Sequence, residues 1–585
     1  MFKKILTYAS ISLSLVAIII ILAIVVNMAQ PPGITDDSCD MFVFSHAPGF
    51  HDDEFELVVT VPDFPNATIH WTIDGTEPTS ERPRTIRRNG IDIVVSGSIA
   101  PGETLSVYDR SGYWRDGILT GRQGEQRNNA PPAPNAHTLR GSAFRFRAFY
   151  RGEAVTGTAT ATYIIASDVP ARFANNLVVS ITAPYHDFWR VYGDTHPLAN
   201  PAERATFNYE FFGVEDGAYS RLFSVIGSTS LGGSGSRGHS QRTFNVHLAR
   251  DELDGVINHP IFDGVDSLYR FRLWNGGNAF IWDHMRDAFV HSAASGLETV
   301  FSQSRVAILF VNGEFWGFTT MREHTNNRFF AQTQLGLNRG NIAIMDSNRR
   351  IVRGQRIRYH AVEVGGETAQ RLYDELVYFI MAHDLANDSA AVERFFTEFF
   401  CRANFIDYLI TQTFFHNDDW PQNNLRMFRA IEPQVGNYYA DGLWRFMLHD
   451  LDFAGRSLFT GSVSPNMNLF AHLLNYNGPG FRNPGPDFSF VFGDLLRNAA
   501  FVEEFHARAM YLLENDFATD RLLAHYDEFV QRYLPLLPEM YNRFAVRGAV
   551  EDSLANFHRR RADFTRFLTH RHRYYIAQLE GLLSN

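Results

Sequence analysis

Lysine is almost missing from this chain. Of 53 Lys plus Arg residues only Lys3 and Lys4 are lysine, and all the others are arginine. The scarcity excludes several chemistries. A Walker A loop needs a lysine on the β/γ-phosphates, and a pyridoxal-phosphate enzyme needs a Schiff-base lysine. A conventional protein kinase sets a strand lysine on the α/β-phosphates. Cysteine is equally scarce: Cys39 and Cys401 make no zinc site, and both are expected to be structural or free, with one disulfide between them left open. Positive charge is in deficit, 53 basic against 64 acidic residues for a net charge of −11, which argues against nucleic acid as a partner. No internal repeat and no low-complexity tract is present.

What is there is substantial. The 585 residues are 45% hydrophobic and 14% aromatic, enough for large cores and several domains. Ile5 to Met28 carry no charge. As a helix they would span about 36 Å against a hydrocarbon core of about 30 Å. Lys3 and Lys4 precede the run, and Asp36, Asp37 and Asp40 follow it. This pattern predicts a transmembrane signal anchor over 1–28, uncleaved rather than a removed signal peptide, with the body extracytoplasmic at the cell surface. Pro31, Pro32 and Gly33 mark 29–40 as a linker.

The fold class expected is α+β: the anchor, a small all-β sandwich over 41–165, a kinase-like mixed domain over 176–460, and its helical C-terminal part over 461–585. In the sandwich, Phe55–Val59 and Thr68–Ile73 read as strands, with Asp74-Gly75 as a turn. Ser142–Tyr150 alternates, with Phe144, Phe146 and Ala148 on one face. Further on, Arg305–Val311, Asn312-Gly313 and Glu314–Phe318 predict a tight hairpin. Leu372, Leu376, Phe379 and Ile380 recur at helical spacing.

The stretches Phe44–Phe50, Ile69–Thr79, Phe146–Ala148 and Thr162–Ile165, with Thr-Ile-Asp-Gly-Thr-Glu-Pro-Thr at 72–79, resemble the β-sandwich at the C-terminus of chitobiase and β-hexosaminidase type enzymes. The resemblance implies a non-catalytic companion module, either a spacer or a contact for cell-wall carbohydrate.

Three constellations could carry chemistry. In Asn417-Asp418-Asp419-Trp420-Pro421-Gln422-Asn423-Asn424, a carboxylate is followed five residues later by an amide. This is the spacing of a kinase catalytic loop, where Asp takes the hydroxyl proton and Asn helps hold a metal. Asp418–Asn423 and Asp419–Asn424 both satisfy it. His449-Asp450-Leu451-Asp452 follows an apolar strand, Trp444–Leu448, and two such acids suit Mg²⁺. Gly227–Leu248 is rich in small residues that let backbone N–H groups approach phosphate, and it leads into a strand on which Arg242 shares the inward parity of Phe244 and Val246.

Taken together and in this order, the constellations resemble the spore-coat CotH kinase family of secreted atypical protein kinases, over roughly 176–460 and more faintly to the C-terminus. Gly235-Ser236-Arg237-Gly238, Met285-Arg286-Asp287, Val311–Gly317 and Arg322-Glu323 add to it. The resemblance implies ATP with Mg²⁺ or Mn²⁺, and γ-phosphoryl transfer to Ser or Thr of a secreted or surface protein. It implies Asp419 and Asn424 as catalytic residues, with Arg242 in the phosphate-binding lysine's place and Glu323 as that cation's acidic partner or a metal-site neighbour. It also implies Gly235, Ser236, Arg237 and Arg242 as nucleotide contacts, and Asp450, Asp452 and Asn424 at the metal. Arginine at 242 departs from the family's lysine, and a wider, forked cation is not an equivalent phosphate ligand. The alternative is a catalytically weak kinase-fold surface protein that binds cell wall or carbohydrate. A carbohydrate enzyme using paired aspartates is a third.

Overall fold

A computed structural model describes residues 41–584, apart from 89–90, 112–137, 194–202, 216, 234, 251–252, 353–354, 422, 459, 476–489 and 547. The expected anchor, the linker and Cys39 lie outside these residues.

The centre of the molecule is a ring of seven strands. Leu177–Thr182 runs antiparallel to Ala205–Glu215 and parallel to Ser304–Val311. Ser304–Val311 turns back through Asn312 and Gly313 into Glu314–Glu323. Both turn residues have positive φ, 46° and 78°, as a two-residue hairpin requires. Arg270–Trp274, Phe244–His247 and Ala218–Leu231 follow in order, each antiparallel to the last. Ala218–Leu231 then pairs with Ala205–Glu215, and the sheet closes on itself. Closure removes exposed edges. It also explains why Glu314–Glu323 is buried along all ten residues: one face fills the barrel and the other receives helices.

A second sheet, ordered Gln355–Val364, Ala343–Val352, Arg426–Arg429, Arg445–Met447, stands beside the barrel. The helix Arg402–Phe414 packs on it and is buried from Asn404 onward. The C-terminal part is helical: Ala499–Glu514, capped by the Asn498 side chain, then Thr519–Tyr533 and Val550–Leu583.

The expected architecture needs correction. Among the described residues no helix is long and apolar enough to cross a membrane. The longest, Val550–Leu583, has 34 residues but carries six arginines between Arg559 and Arg573. This finding stands against the single-pass, membrane-anchored placement expected from the sequence. The fold is a mixed α+β structure with a seven-strand barrel-like sheet and a helical C-terminal part.

The segment 41–165 is also less separate than its strand pattern suggests. It has a core of its own, with Leu57, Ile69, Val95, Phe144, Phe146 and Tyr163. Yet Gly49–His51 pairs with Ala159–Ile165 on one side and touches Ser220 of the barrel on the other. One thirteen-stranded sheet thus runs from the ring into this segment. Phe50 enters the barrel's core, 5.3 Å from Tyr219 and 6.1 Å from Phe310 between ring centroids.

Candidate active site

The buried helix Arg402–Phe414 ends in the acid–amide loop. Pro421 follows Trp420, whose ring is wholly buried against Tyr408 and Phe492, and this anchors the loop. Asp419 accepts hydrogen bonds from both amides downstream, Asn423 Nδ2 and Asn424 Nδ2, the latter at 3.0 Å. Asn424 sits at φ 61°, a left-handed conformation that asparagine tolerates. Asp418 faces elsewhere: it accepts from Leu458 N–H at 2.8 Å and lies 3.8 Å from His416. Of the two spacings open in the sequence, the Asp419–Asn424 pair is the one the loop closes.

The second acid pair leaves the strand Arg445–Met447. The strand does not continue through it, because Asp450 has φ 54°. A turn rather than a pleat brings the carboxylates together. Leu451 N–H donates to Asp287 Oδ1 at 2.7 Å, and Asn278 donates to Asp452 Oδ2 through its backbone N–H at 2.6 Å and its side chain at 3.0 Å. Gly277, at φ 60°, makes that approach possible: a Cβ there would stand 2.3 Å from Asp452 Oδ2. The glycine-rich turn Gly235–Gly238 lies on the far side of Asn278, a Cβ on Gly235 falling 3.9 Å from its Oδ1. Ser236 and Arg237 are buried in this turn.

The electrostatics are unusual. Asp450 is pushed up to about 7, first by burial and then by Asp287 and Asp419, with Arg272 and Arg322 opposing. Asp452 is raised well above the usual carboxylate range by burial and by Asp450. Its Oδ1 is buried and has no hydrogen-bond partner among the described residues. Asp287 is treated differently. Burial alone would raise it, but Arg322 at 2.5 Å, His291 and the Leu451 N–H together hold it below its ordinary value. Arg272 stands opposite Arg322 in the sheet and donates to His324 Nε2 at 2.7 Å. Burial and the neighbouring arginines lower Arg272 to about 9. Two tightly held cations therefore face a group of carboxylates.

Two sequence-predicted residues are not part of this group. Arg242 is inward and 2% exposed, as its parity predicts, but it donates to the Tyr192 carbonyl and lies 4.9 Å over the Tyr192 ring. Glu323 accepts from Gln303 N–H and is raised to about 7 by burial; its contacts do not include Arg242. Asn278, Asp287, Arg272 and Arg322 were not assigned a role from sequence. Asp287 and Arg322 fall in stretches that carry the family resemblance, and Asn278 lies in a Gly-Gly-Asn run. Arg272 gives no signal beyond its opposite parity to Phe271 and Leu273.

A search of curated proteins returned no match. A family model described as CotH kinase protein matches residues 230–575, more than half of the chain. That span takes in the glycine-rich turn, both acid motifs, the two arginines and the helices that carry them. By that match the chain belongs to the CotH kinase family.

Proposed function

We propose that this chain transfers the γ-phosphoryl group of ATP to a serine or threonine hydroxyl of a protein. The observation that carries the reading is the convergence of Asp450 and Asp452 with Asp419, which Asn424 orients, and with Asn278, beside the glycine-rich turn. In this reading Asp419 takes the proton of the attacking hydroxyl as its oxygen bonds to phosphorus and the bond to the ADP bridging oxygen breaks. The two amides on Asp419 fix its orientation before substrate arrives. Gly235, Ser236 and Arg237 supply the turn against the nucleotide, and Arg272 and Arg322 hold phosphate charge in the place expected of Arg242.

The residues present fit a divalent cation. Asp452 Oδ1 is buried without a partner, and the donors are all hard oxygens, as Mg²⁺ or Mn²⁺ requires. Among the described residues no group of three or more His, Cys, Asp or Glu is placed to hold a metal ion by itself. This suits an ion that completes its shell with water and phosphate. Asp450, Asp452 and Asn424 would hold it. When bound, it supplies neutralising charge to the phosphate oxygens.

The test is phosphoryl transfer by the full chain from radiolabelled ATP, with Mg²⁺ or Mn²⁺, to a generic Ser/Thr-containing protein. Transfer that is lost in Asp419→Ala supports the reading. Absence of transfer in the wild type, or equal transfer in Asp419→Ala, contradicts it. Nucleotide binding without turnover would favour the non-catalytic alternative.

A further inference from the structure

Four residues beyond Asp452, a second charge imbalance of the opposite sign faces solvent. The turn that carries Asp452 ends with Arg456, whose guanidinium lies 4.4 Å over the ring of Trp282. Among the described residues that guanidinium takes no hydrogen bond and no ion pair. Burial, Arg560 and Arg286 lower it to about 10, and Asp283 and Asp563 oppose them only in part. Arg286 is engaged with Asp283 Oδ2 at 2.6 Å and with the Ala454 carbonyl at 2.9 Å. Arg560, on the C-terminal helix, reaches Asp563 only at 3.6 Å, and Asp563 is shared with Arg566 at 3.2 Å. The buried Nε of Arg560 has no acceptor. Arginines 286, 456, 560 and 566 thus outnumber aspartates 283 and 563, of which Asp283 keeps one buried oxygen without a hydrogen bond.

The position is built, not incidental. Gly455, at φ 67°, turns the chain so closely on the C-terminal helix that a Cβ would stand 2.7 Å from Phe564. Trp282 is held beneath by Phe453, 5.2 Å away edge to face. Gly461 leaves room beside the guanidinium, where a Cβ would come within 3.3 Å of Nη2. A flat cation stacked on an aromatic ring, with its edge open, is arranged for a planar or tetrahedral oxyanion.

We propose that Arg456, stacked on Trp282, forms with the neighbouring Arg560 a subsite for an anionic side chain of the protein substrate. The proposal rests on the kinase reading for the identity of its ligand. Four residues of chain span at most about 14 Å. On the kinase reading this places the anionic residue close to the phosphoacceptor along the peptide. The ligand group is a carboxylate or a phosphate ester presented by the peptide.

The test is direct binding to the full chain, measured by fluorescence anisotropy. The labelled serine peptides are neutral, glutamate-containing or phosphoserine-containing, with the charge placed within four residues of the acceptor. The anionic peptides are expected to bind at least tenfold tighter than the neutral one. Arg456→Ala is expected to erase that preference, Arg456→Lys to keep part of it, and Arg560→Ala to reduce it less. A preference for both anions identifies a carboxylate-tolerant site, and a preference for phosphoserine alone identifies a phosphate site. Equal affinity for all three peptides, or an undiminished preference in both Arg456 variants, overturns the proposal. An Arg456-dependent preference in a chain that transfers no phosphate overturns the kinase reading and leaves the subsite standing. Transfer without preference does the reverse.

Discussion

At the seam between segment 41–165 and the barrel, buried charge is settled within the chain. Glu314 lies between Arg140, 3.4 Å away, and Arg543, 2.8 Å away, and all three are buried. Glu210 receives Thr162 through its N–H and hydroxyl, and Arg221 at 3.3 Å. At the acid cluster the opposite holds. Burial, Asp287 and Asp419 raise Asp450, burial and Asp450 raise Asp452, and a carboxylate oxygen of Asp452 is left without a partner. A buried charge without compensation costs several kcal/mol in a folded chain. The seam offsets much of this cost through its partners, though burial still raises Glu210, and the cluster leaves it unmet. The difference separates charge that holds the fold from charge that, on the proposed function, is kept for a ligand.

The comparison can be broken from either side. The largest effect is expected at the cluster. Asp452→Ala should lower phosphoryl transfer on the order of 10³-fold, as for loss of a charge-stabilising group at a reaction centre, while the thermal midpoint holds or rises. Transfer rate and melting curve, measured on one sample, check both halves. At the seam the pattern should invert. Glu314→Ala leaves Arg140 and Arg543 buried without their carboxylate and should cost about 3–5 kcal/mol in denaturant unfolding, with the activity of the remaining folded fraction near wild type.

Proton linkage gives a third effect. His284 is lowered to about 3 by burial and then His239, and His247 to about 2 by burial and then nearby arginines. Both titrate below the ordinary 6.5, so the unfolded chain takes up protons first as pH falls. Their contribution is complete above about 6.5 and drains below it, at about 1.4 kcal/mol per histidine per pH unit. Asp450 and Glu323, both raised to about 7 by burial, act in the opposite direction over this range, so the loss is read as a difference: from pH 7 to pH 5, His284→Gln should lose less stability than the wild type, and equal losses would contradict it. The smallest effect sharpens the cluster. Asp450→Asn removes one of two repelling carboxylates and should stabilise the unliganded chain by about 1 kcal/mol, visible as a higher urea midpoint.

Local features were legible in the sequence. Alternation set the strand Ser142–Tyr150, and Asn312-Gly313 set the hairpin into Glu314–Glu323. The acid–amide spacing left Asp418–Asn423 and Asp419–Asn424 open, of which the loop hydrogen-bonds the second, and parity turned Arg242 inward. What was not legible depends on pairing between distant segments. The closing contact between Ala205–Glu215 and Ala218–Leu231, and the bridge through Gly49–His51, follow from the curvature of the whole sheet. Arg272 comes to the cluster through the Arg270–Trp274 pairing, and Arg242 is taken up by Tyr192, fifty residues away.

The central claim is that the carboxylates at 450 and 452 are kept for a metal–nucleotide ligand. The direct measurement is the thermal midpoint of the full chain titrated with ATP, with and without Mg²⁺ or Mn²⁺, in wild type and Asp452→Asn. A ligand that binds only the folded state raises the midpoint with concentration. The account predicts a metal-dependent rise in the wild type that Asp452→Asn abolishes. No metal-dependent rise in the wild type, or an equal rise in both proteins, would contradict it.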